Sequence, residues 1–309
     1  MALLFLSPTD NPVVWTQTLT GLMPDLDMRI WPATGDVADI DVALVWKPPL
    51  GELQRFPNLK LIISLGMGVD HLFQDPALPP HVPLARIVDP SIITQMAEYV
   101  CLAVLRHYRR MDEYERFQRE RRWQRLPLAD TAKCSVGLLG LGIIGSHTAR
   151  QLLALGFPVL GWSRTPRSLE GVEGFHGSRG LESFLRRSTV LVCLLPLTRD
   201  TEDIINAATL AMLPAGAYVI NCARGGHVVE EDLLAALDQG HIAGTTLDVF
   251  RQEPLPPDHP FWSHPRVHVT PHIAGLTNPR TTAPQVVENI RRLQAGQLLL
   301  NPVDRERGY

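Results

Sequence analysis

Short apolar runs separated by proline-bearing loops dominate the first hundred residues. Their apolar side chains are continuous rather than alternating with polar ones. Continuous short runs of this kind predict strands buried on both faces, as in a parallel sheet covered by helices. Helical connections between the strands are expected, without clear bounds. The predicted strands are Leu3–Leu6, Met28–Ile30, Val42–Trp46, Leu61–Ser64 and Leu84–Val88.

From Cys134 onward, strand and helix patterns alternate regularly. This alternation predicts a doubly wound parallel α/β sheet of the Rossmann type. The predicted strands are 135–139, 159–162, 189–194, 217–221, 242–247 and, as the sixth, 267–269. The predicted helices are one ending near Leu155, then 181–187, 206–212 and 230–239, and a final one over about 279–295.

The polar tail after the final helix is too short for a domain of its own, so we expect it to return to the first sheet. The sequence therefore predicts a discontinuous first domain, residues 1–98 plus 273–309, with a smaller flavodoxin-like α/β fold. A Rossmann domain, residues 99–272, is inserted into it.

A long helix is predicted from Ser91, which is the candidate N-cap after Pro90. Apolar residues recur at helical spacing as far as His107, and arginines then mix with aspartates and glutamates as far as Arg122. The mixed charges predict a solvated face with ion pairs one helical turn apart, or a helix that forms a dimer. Interspersed acids argue against a nucleic-acid stripe.

Composition excludes several classes of protein. The 309 residues carry 29 Lys and Arg against 32 Asp and Glu, and this balance argues against nucleic-acid binding. The apolar run Ala2–Leu6 is too short for a signal peptide or a membrane span, so no membrane association is expected. The cysteines show neither a CxxC pair nor metal-ligand spacing, which predicts reduced thiols in a cytoplasmic protein and no metal site. They are Cys101, Cys134, Cys193 and Cys222.

A GxGxxG motif follows the first predicted strand of the second domain and opens its helix, which is the context that a dinucleotide site requires. Gly140 permits the tight turn, and Gly142 lets a pyrophosphate approach the backbone. Gly145 lets the helix pack against the strand, and the N-terminus of that helix favours negative charge. This motif predicts a dinucleotide cofactor.

The residues at the end of the next strand indicate which dinucleotide binds. An acid at this point would bind a ribose 2′-hydroxyl, but the chain has Ser163, followed by Arg164 and Arg167. Guanidinium groups bind a 2′-phosphate, which a carboxylate would repel. These residues predict NADP(H) as the cofactor, with NAD(H) as the alternative.

Three polar segments follow predicted strands of the Rossmann sheet. Arg224 lies in Asn221-Cys222-Ala223-Arg224-Gly225-Gly226, Glu253 follows Leu247-Asp248-Val249-Phe250, and His272 lies in Thr270-Pro271-His272-Ile273-Ala274-Gly275. The carboxyl edge of such a sheet is where ligands bind. Arginine suits a carboxylate anchor and histidine a proton donor.

With these segments in place, the chain resembles the D-isomer-specific 2-hydroxyacid dehydrogenases over nearly its whole length. The resemblance rests on Gly66-Met67-Gly68-Val69-Asp70, the GxGxxG, and the Arg, Glu and His segments in that order. Three stretches resemble a subgroup, the NADPH-dependent glyoxylate/hydroxypyruvate reductases of the bacterial A type. These are Trp162-Ser163-Arg164-Thr165, Ala223-Arg224-Gly225 and Val303-Asp304-Arg305-Glu306-Arg307-Gly308-Tyr309.

The resemblance implies a role for each matched residue. Arg224 binds the substrate carboxylate and polarises the keto oxygen, His272 donates the proton, and Glu253 orients the imidazole and favours its charged form. Backbone N–H groups of Met67, Gly68 and Val69 in the other domain bind the substrate carboxylate. The cofactor contacts implied are Gly140, Gly142, Ile143, Ile144, Gly145, Ser163, Arg164, Arg167, Leu195, Pro196, Cys222, Ala223, Asp248 and Gly275.

Several positions admit two interpretations. Asp248 either lies near the nicotinamide or stabilises a turn. Trp46 and Lys47 either border the substrate or serve packing and solvent contact, and Met67 could narrow the pocket. A homodimer through the 91–122 helix is implied by the resemblance alone.

The sequence thus predicts reduction of a small 2-oxo acid, glyoxylate or hydroxypyruvate, by hydride transfer from NADPH. The enzyme alternative is an NAD-linked D-lactate or phosphoglycerate dehydrogenase, which Ser163 argues against. A formate dehydrogenase is disfavoured because that relative carries Gln where this chain has Glu253. The non-enzymatic alternative is a dinucleotide-sensing scaffold similar to the corepressors of the family, which the lack of a long low-complexity tail disfavours.

Overall fold

The computed structural model describes residues 1–127 and 129–309, which form two compact units. The first unit comprises Met1–Ile92 and Thr277–Tyr309, and the second comprises Ile93–Leu276. The sequence placed these boundaries after residues 98 and 272. The first observed division falls near the start of a helix, and the second falls after the segment that carries His272.

Both units are built from parallel strands connected largely by helices. The strands are β1 Ala2–Leu6, β2 Asp27–Ile30, β3 Ile40–Val45, β4 Leu61–Ser64, β5 Leu84–Arg86, β6 Val136–Leu139, β7 Val159–Ser163, β8 Val172–His176, β9 Val190–Cys193, β10 Ala217–Asn221, β11 Ile242–Leu247 and β12 Val267–Val269. The helices are α1 Pro12–Leu22, α2 Asp70–Phe73, α3 Pro90–Tyr108, α4 Met111–Arg119, α5 Ile143–Ala154, α6 Gly177–Leu185, α7 Ala207–Met212, α8 Glu230–Asp238 and α9 Pro279–Gln294.

The sheet of the first unit has the strand order β2-β1-β3-β4-β5, and every described pairing in it is parallel. This is the flavodoxin-like order, so the predicted fold of this unit is confirmed. All five residues of β1 are buried, as a central strand covered on both faces requires.

Helices α1 and α9 supply apolar side chains to one core of the first unit. The Asn11 side chain accepts hydrogen bonds from the Val13 and Val14 amides, and Pro12 occupies the first turn, which together start α1. Trp15 of α1 and Ile290 of α9 are both buried in the same apolar cluster. The terminal helix therefore belongs to the first sheet.

The sheet of the second unit has the order β12-β11-β10-β9-β6-β7-β8, again with parallel pairings. Its first six strands in chain order follow the Rossmann arrangement, which confirms the predicted fold. The sequence missed β8, so β12 is the seventh strand of this unit rather than the sixth. β8 lies at the edge of the sheet and none of its residues is fully buried, so it lacks the apolar run that marks the other strands.

The predicted 91–122 helix is wrong in two respects. Helix α3 begins at Pro90, and an Asp89 oxygen accepts a hydrogen bond from the Ser91 amide, so Ser91 is not the N-cap. The helix also ends at Tyr108. Arg110 adopts a left-handed backbone with φ of 56°, and a separate helix, α4, starts at Met111. Phe117 is the buried residue of α4.

Further chain-wide features bear on the sequence predictions. None of the described helices has both the length and the apolar run that crossing a bilayer requires. The cysteines are free thiols, with Cys193 and Cys222 buried and Cys101 and Cys134 half-buried.

Candidate active site

The GxGxxG turn of the second unit joins β6 to α5 through three glycines with different tasks. Gly140 has a φ of +108°, and a Cβ there would lie 2.9 Å from the Leu194 carbonyl oxygen. A Cβ on Gly145 would lie 1.9 Å from the Gly140 oxygen, so only glycine permits this helix-to-turn packing. Gly142, the N-cap of α5, has open space where its Cβ would be. This opening at a helix N-terminus fits a pyrophosphate.

The end of β7 carries the residues predicted to select the cofactor. Ser163 is buried and its hydroxyl donates to the Thr165 carbonyl at 2.8 Å, whereas Arg164 and Arg167 are exposed. Arg167 Nη1 donates to the carbonyl of Leu141, inside the glycine turn, at 3.1 Å. A guanidinium therefore reaches from the β7 loop to the GxGxxG turn. No acidic residue lies between positions 163 and 167, so this end of the strand fits a 2′-phosphate.

The other predicted cofactor residues follow the neighbouring strands. Leu195 and Pro196 come after β9, and Cys222 and Ala223 after β10, which pairs with β9. Cys222 is buried with its thiol 3.9 Å from the Cys193 carbonyl oxygen, and burial raises the pKa of that thiol. A protonated, enclosed thiol packs as an apolar group.

A polar turn fixes the backbone of Arg224 after β10. The Asn221 side chain is fully buried, donates to the Arg224 carbonyl at 2.8 Å and accepts from the Ala223 amide at 3.1 Å. His227 Nδ1 lies 3.3 Å from the Arg224 nitrogen and 3.1 Å from its oxygen. The half-buried Arg224 side chain donates through Nη1 to the Ala223 carbonyl at 2.6 Å.

Gly225 brings the Arg224 turn against the loop that follows β11. A Cβ at Gly225 would lie 1.9 Å from the carbonyl carbon of Phe250 and 2.3 Å from the Arg251 nitrogen. Arg251 also donates through Nε to the Val228 carbonyl at 2.7 Å. The loop carrying Arg224 and the loop carrying Glu253 are therefore in direct backbone contact.

Glu253 and His272 form a hydrogen-bonded pair. His272 Nδ1 lies 2.9 Å from Glu253 Oε2, and the Phe250 amide donates to Glu253 Oε1 at 3.2 Å. Both side chains are partly exposed, at 31% for His272 and 20% for Glu253. Since Nδ1 is engaged, Nε2 is the imidazole nitrogen available to a ligand.

Asp248 organises the segment that carries His272. Its fully buried carboxylate accepts hydrogen bonds from the Thr270 hydroxyl at 2.5 Å, the Ile273 amide at 2.9 Å and the Ala274 amide at 2.8 Å. The Tyr99 hydroxyl lies 2.6 Å from that of Thr270, and burial raises the pKa of the Tyr99 phenol. These contacts support the turn-stabilising interpretation of Asp248.

In the first unit, the predicted substrate loop Gly66–Val69 follows β4. A Cβ on Gly66 would lie 2.5 Å from Cζ3 of Trp46, so the indole packs directly on the loop. The Ser64 hydroxyl donates to the Gly68 carbonyl at 3.1 Å, and Arg86 Nη1 donates to the Met67 carbonyl at 3.2 Å. Met67 and Gly68 are half-buried.

A family model matches this architecture. Residues 101–274 match the NAD binding domain of the D-isomer specific 2-hydroxyacid dehydrogenases. The chain belongs to this family.

Relatives that match this chain over its whole length include glyoxylate/hydroxypyruvate reductases. The glyoxylate/hydroxypyruvate reductase A of Yersinia enterocolitica is 43% identical over 314 residues, covering 100% of both chains. A D-isomer specific 2-hydroxyacid dehydrogenase from Xanthobacter autotrophicus, solved with NADPH and MES, is 50% identical with a TM-score of 0.95, covering 100% of this chain and 99% of that one. The NADPH-dependent glyoxylate/hydroxypyruvate reductase of Sinorhizobium meliloti, solved with NADP and sulfate, is 39% identical with a TM-score of 0.94, covering 100% of both chains.

Sequence reasoning singled out Arg224, Asp248 and Met67 but did not identify the residues that form hydrogen bonds with their segments. Asn221 and His227 fix the Arg224 turn, Tyr99 and Thr270 support Asp248, and Arg86 contacts the Met67 carbonyl. Only Asn221 carries a local signal, since an Asn two residues before a turn amide commonly caps it.

Proposed function

We propose that this chain reduces a small 2-oxo acid, glyoxylate or hydroxypyruvate, to the 2-hydroxy acid with NADPH as the reductant. The observation that carries the proposal is the hydrogen bond between Glu253 and His272. The loop that carries Glu253 is also in backbone contact with the loop that carries Arg224. The names of the full-length relatives support the same substrates and cofactor.

Residues of the second unit are proposed to bind the cofactor. NADPH, when bound, supplies the hydride that adds to the keto carbon. The backbone at Gly142, Ile143, Ile144 and Gly145 would hold the pyrophosphate, with Arg164 and Arg167 at the 2′-phosphate. Leu195, Pro196, Cys222, Ala223 and Gly275 are proposed to enclose the remainder of the cofactor.

The proton comes from His272. Its Nε2 delivers a proton to the substrate oxygen as negative charge develops there, while Glu253 balances the positive charge of the imidazolium that precedes transfer. Arg224 binds the substrate carboxylate bidentately and polarises the keto group. The amides of Met67, Gly68 and Val69 are proposed to bind the substrate carboxylate as well.

The test is NADPH consumption, followed by absorbance, with glyoxylate or hydroxypyruvate as substrate. Wild-type protein should turn over, and His272→Ala should lower kcat by about 10²- to 10⁴-fold, the range for general acid catalysis. His81→Ala, at an exposed histidine of the first unit, is the matched control and should retain activity. No wild-type turnover, or undiminished turnover in His272→Ala, would refute the proposal.

We further propose that the protein is a cytoplasmic homodimer. The exposed apolar side chains of Leu102 on α3 and Met111 on α4, 66% and 41% exposed, support a dimer surface there. The free thiols are consistent with a reducing compartment. Light scattering tests the dimer, and a Leu102→Glu variant should shift it toward monomer.

A further inference from the structure

The segment 301–309, which we call the terminal segment, extends the sheet of the first unit. The Arg86 amide donates to the Asn301 carbonyl at 3.1 Å and the Val303 amide donates to the Leu84 carbonyl at 2.9 Å, with an antiparallel bridge between Ala85 and Pro302. Much of this segment is the motif that pointed to the reductase subgroup. The proposed function gives that motif no task.

Beyond the sheet, the terminal segment folds into a closed turn. The Asp304 side chain accepts hydrogen bonds from the amides of Glu306 at 3.0 Å and Arg307 at 3.1 Å. The Gly308 amide donates to the Asp304 carbonyl at 2.9 Å, with φ of +77° at Gly308, and the Asp304 amide donates to the Tyr309 carbonyl at 3.3 Å. Tyr309 is thereby brought back beside Asp304.

A second anchor ties this turn to the body of the unit. Arg305 Nη2 donates to the carbonyl oxygens of Pro79, at 2.8 Å, and Val82. Its guanidinium is partly enclosed, and burial lowers the pKa of that group. A partly desolvated charge of this kind is costly unless hydrogen-bonded, so the two carbonyl contacts hold the turn in place.

Arg86 connects the terminal segment to the substrate loop. The residue ends β5, its amide pairs with the terminal segment, and its side chain donates to the Met67 carbonyl at 3.2 Å. Burial lowers the pKa of the Arg86 guanidinium, and electrostatic interaction with Tyr309 offsets part of that shift. Arg86 therefore links the terminal segment, through its amide, to the substrate loop, through its side chain.

The contact with Met67 has a geometric consequence for the loop. The carbonyl of Met67 and the amide N–H of Gly68 belong to one trans peptide plane and point in opposite directions. Arg86 therefore fixes the direction of the Gly68 N–H by holding the Met67 oxygen. In the same way, the Ser64 hydroxyl holds the Gly68 carbonyl and so fixes the Val69 N–H.

We propose that Arg86, held in place by the terminal segment, is a positioning residue that aims the Gly68 amide at the substrate carboxylate. The inference rests on the proposed function, because it assumes that this loop binds the substrate. It gives the Val303–Tyr309 motif a role in substrate affinity rather than in cofactor binding or proton transfer.

The kinetic test uses Arg86→Gln and, separately, a chain ending at Leu300, which lacks the Asn301 and Val303 hydrogen bonds to β5. Each should raise KM for glyoxylate by about tenfold, the value of one hydrogen bond to a charged group, with kcat changed by less than about threefold. KM for NADPH should not change. Combining the two changes should add little, because both act through Arg86. The control is Arg55→Gln, at an exposed arginine of the first unit that forms an ion pair with Glu52, three residues earlier.

Amide hydrogen exchange separates this proposal from the proposed function. Peptides spanning residues 64–70 should exchange faster in Arg86→Gln and in the shortened chain than in wild type or Arg55→Gln, whatever the catalytic activity. Unchanged exchange together with an unchanged KM for glyoxylate would overturn the proposal while leaving wild-type turnover intact. A parallel rise in KM for NADPH with a lowered melting temperature would also overturn it, since that outcome indicates general destabilisation.

Discussion

His272 adopts a left-handed backbone, with φ of 56°, and its Nδ1 lies 2.9 Å from Glu253 Oε2. This backbone conformation is unfavourable for residues other than glycine. It is held by hydrogen bonds from the His272 amide to the carbonyls of Asp248 at 2.8 Å and Thr270 at 3.1 Å. The direction of the imidazole is therefore set jointly by the backbone of its own loop and by a carboxylate on the neighbouring one.

The role of Glu253 is testable by a change that preserves its shape. Glu253→Gln keeps an oxygen for His272 Nδ1 but loses the negative charge that stabilises imidazolium. We expect kcat for glyoxylate reduction to fall by about 10- to 100-fold, with KM for NADPH unchanged. The control is Glu231→Gln, at an exposed position of α8. Equal kcat in both variants would contradict a role for the Glu253 charge.

Substitutions at two glycines of the GxGxxG turn should affect folding stability and cofactor binding separately. Gly145→Ala places a methyl group 1.9 Å from the Gly140 oxygen, so we expect a loss of about 1–3 kcal/mol in unfolding free energy. In Gly142→Ala the added methyl group meets no atom of the described residues within 4 Å, apart from its own helix and chain neighbours, and should cost less than about 1 kcal/mol. Its methyl group occupies the space proposed for the pyrophosphate, so KM for NADPH should rise by about tenfold or more.

Thermal unfolding and steady-state kinetics on the two glycine variants check this pair of outcomes. A KM for NADPH in Gly142→Ala equal to that of wild type would show that the pyrophosphate does not bind at this turn. A melting temperature of Gly145→Ala equal to that of wild type would show that the helix can move away from the turn at no cost.

The preference for NADPH should depend on Arg164. Replacing it in Arg164→Gln removes one cation from the proposed 2′-phosphate site, and kcat/KM with NADPH should fall by about tenfold or more. The value with NADH should change little, because NADH lacks the phosphate. Arg179→Gln, at an exposed arginine of α6, is the control. A proportional loss with both cofactors would argue that Arg164 does not select between them.

The parts of the fold that were predictable are those with a local pattern. Strands such as Leu61–Ser64 and Ala217–Asn221 are buried over their whole length, and their apolar runs match the observed bounds. The GxGxxG turn was equally clear from the spacing of its glycines, and a side chain at Gly145 would meet the Gly140 oxygen within the same turn. In both cases short-range chemistry determines the structure.

The features that were missed depend on partners distant in sequence. β8 is an edge strand with half-exposed residues, and it forms because β7 offers it a ladder from Val159 to Ser163. The support of Asp248 by Thr270, and of Thr270 by Tyr99, spans three separate segments of the chain. The break at Arg110 lets Arg106 pair with both Asp112 and Glu115, which a continuous helix would not bring together in this way. No local pattern predicts such contacts.

A pH effect on stability is expected from His107 of α3. The half-buried imidazole stacks on Tyr218 with ring centroids 4.3 Å apart, and burial lowers the pKa of His107 to about 4, against the smaller opposing effect of Asp112. Its ordinary value in an unfolded chain is about 6.5. Between these values the unfolded chain binds the proton more readily than the folded one. The contribution of the neutral imidazole is therefore complete above pH 6.5 and is lost progressively as the pH falls toward 4.

The comparison is between wild type and His107→Phe, which keeps the aromatic stack but does not titrate. Denaturant unfolding at pH 7.5 and pH 4.5 should show wild type losing about 2–3 kcal/mol more than the variant between the two conditions. The lowered pKa of Asp112 acts below its ordinary value of 3.8, outside this window. His81→Gln, at an exposed site, should follow wild type. Equal pH dependence in wild type and His107→Phe would show that His107 is protonated as readily in the folded protein as in the unfolded chain.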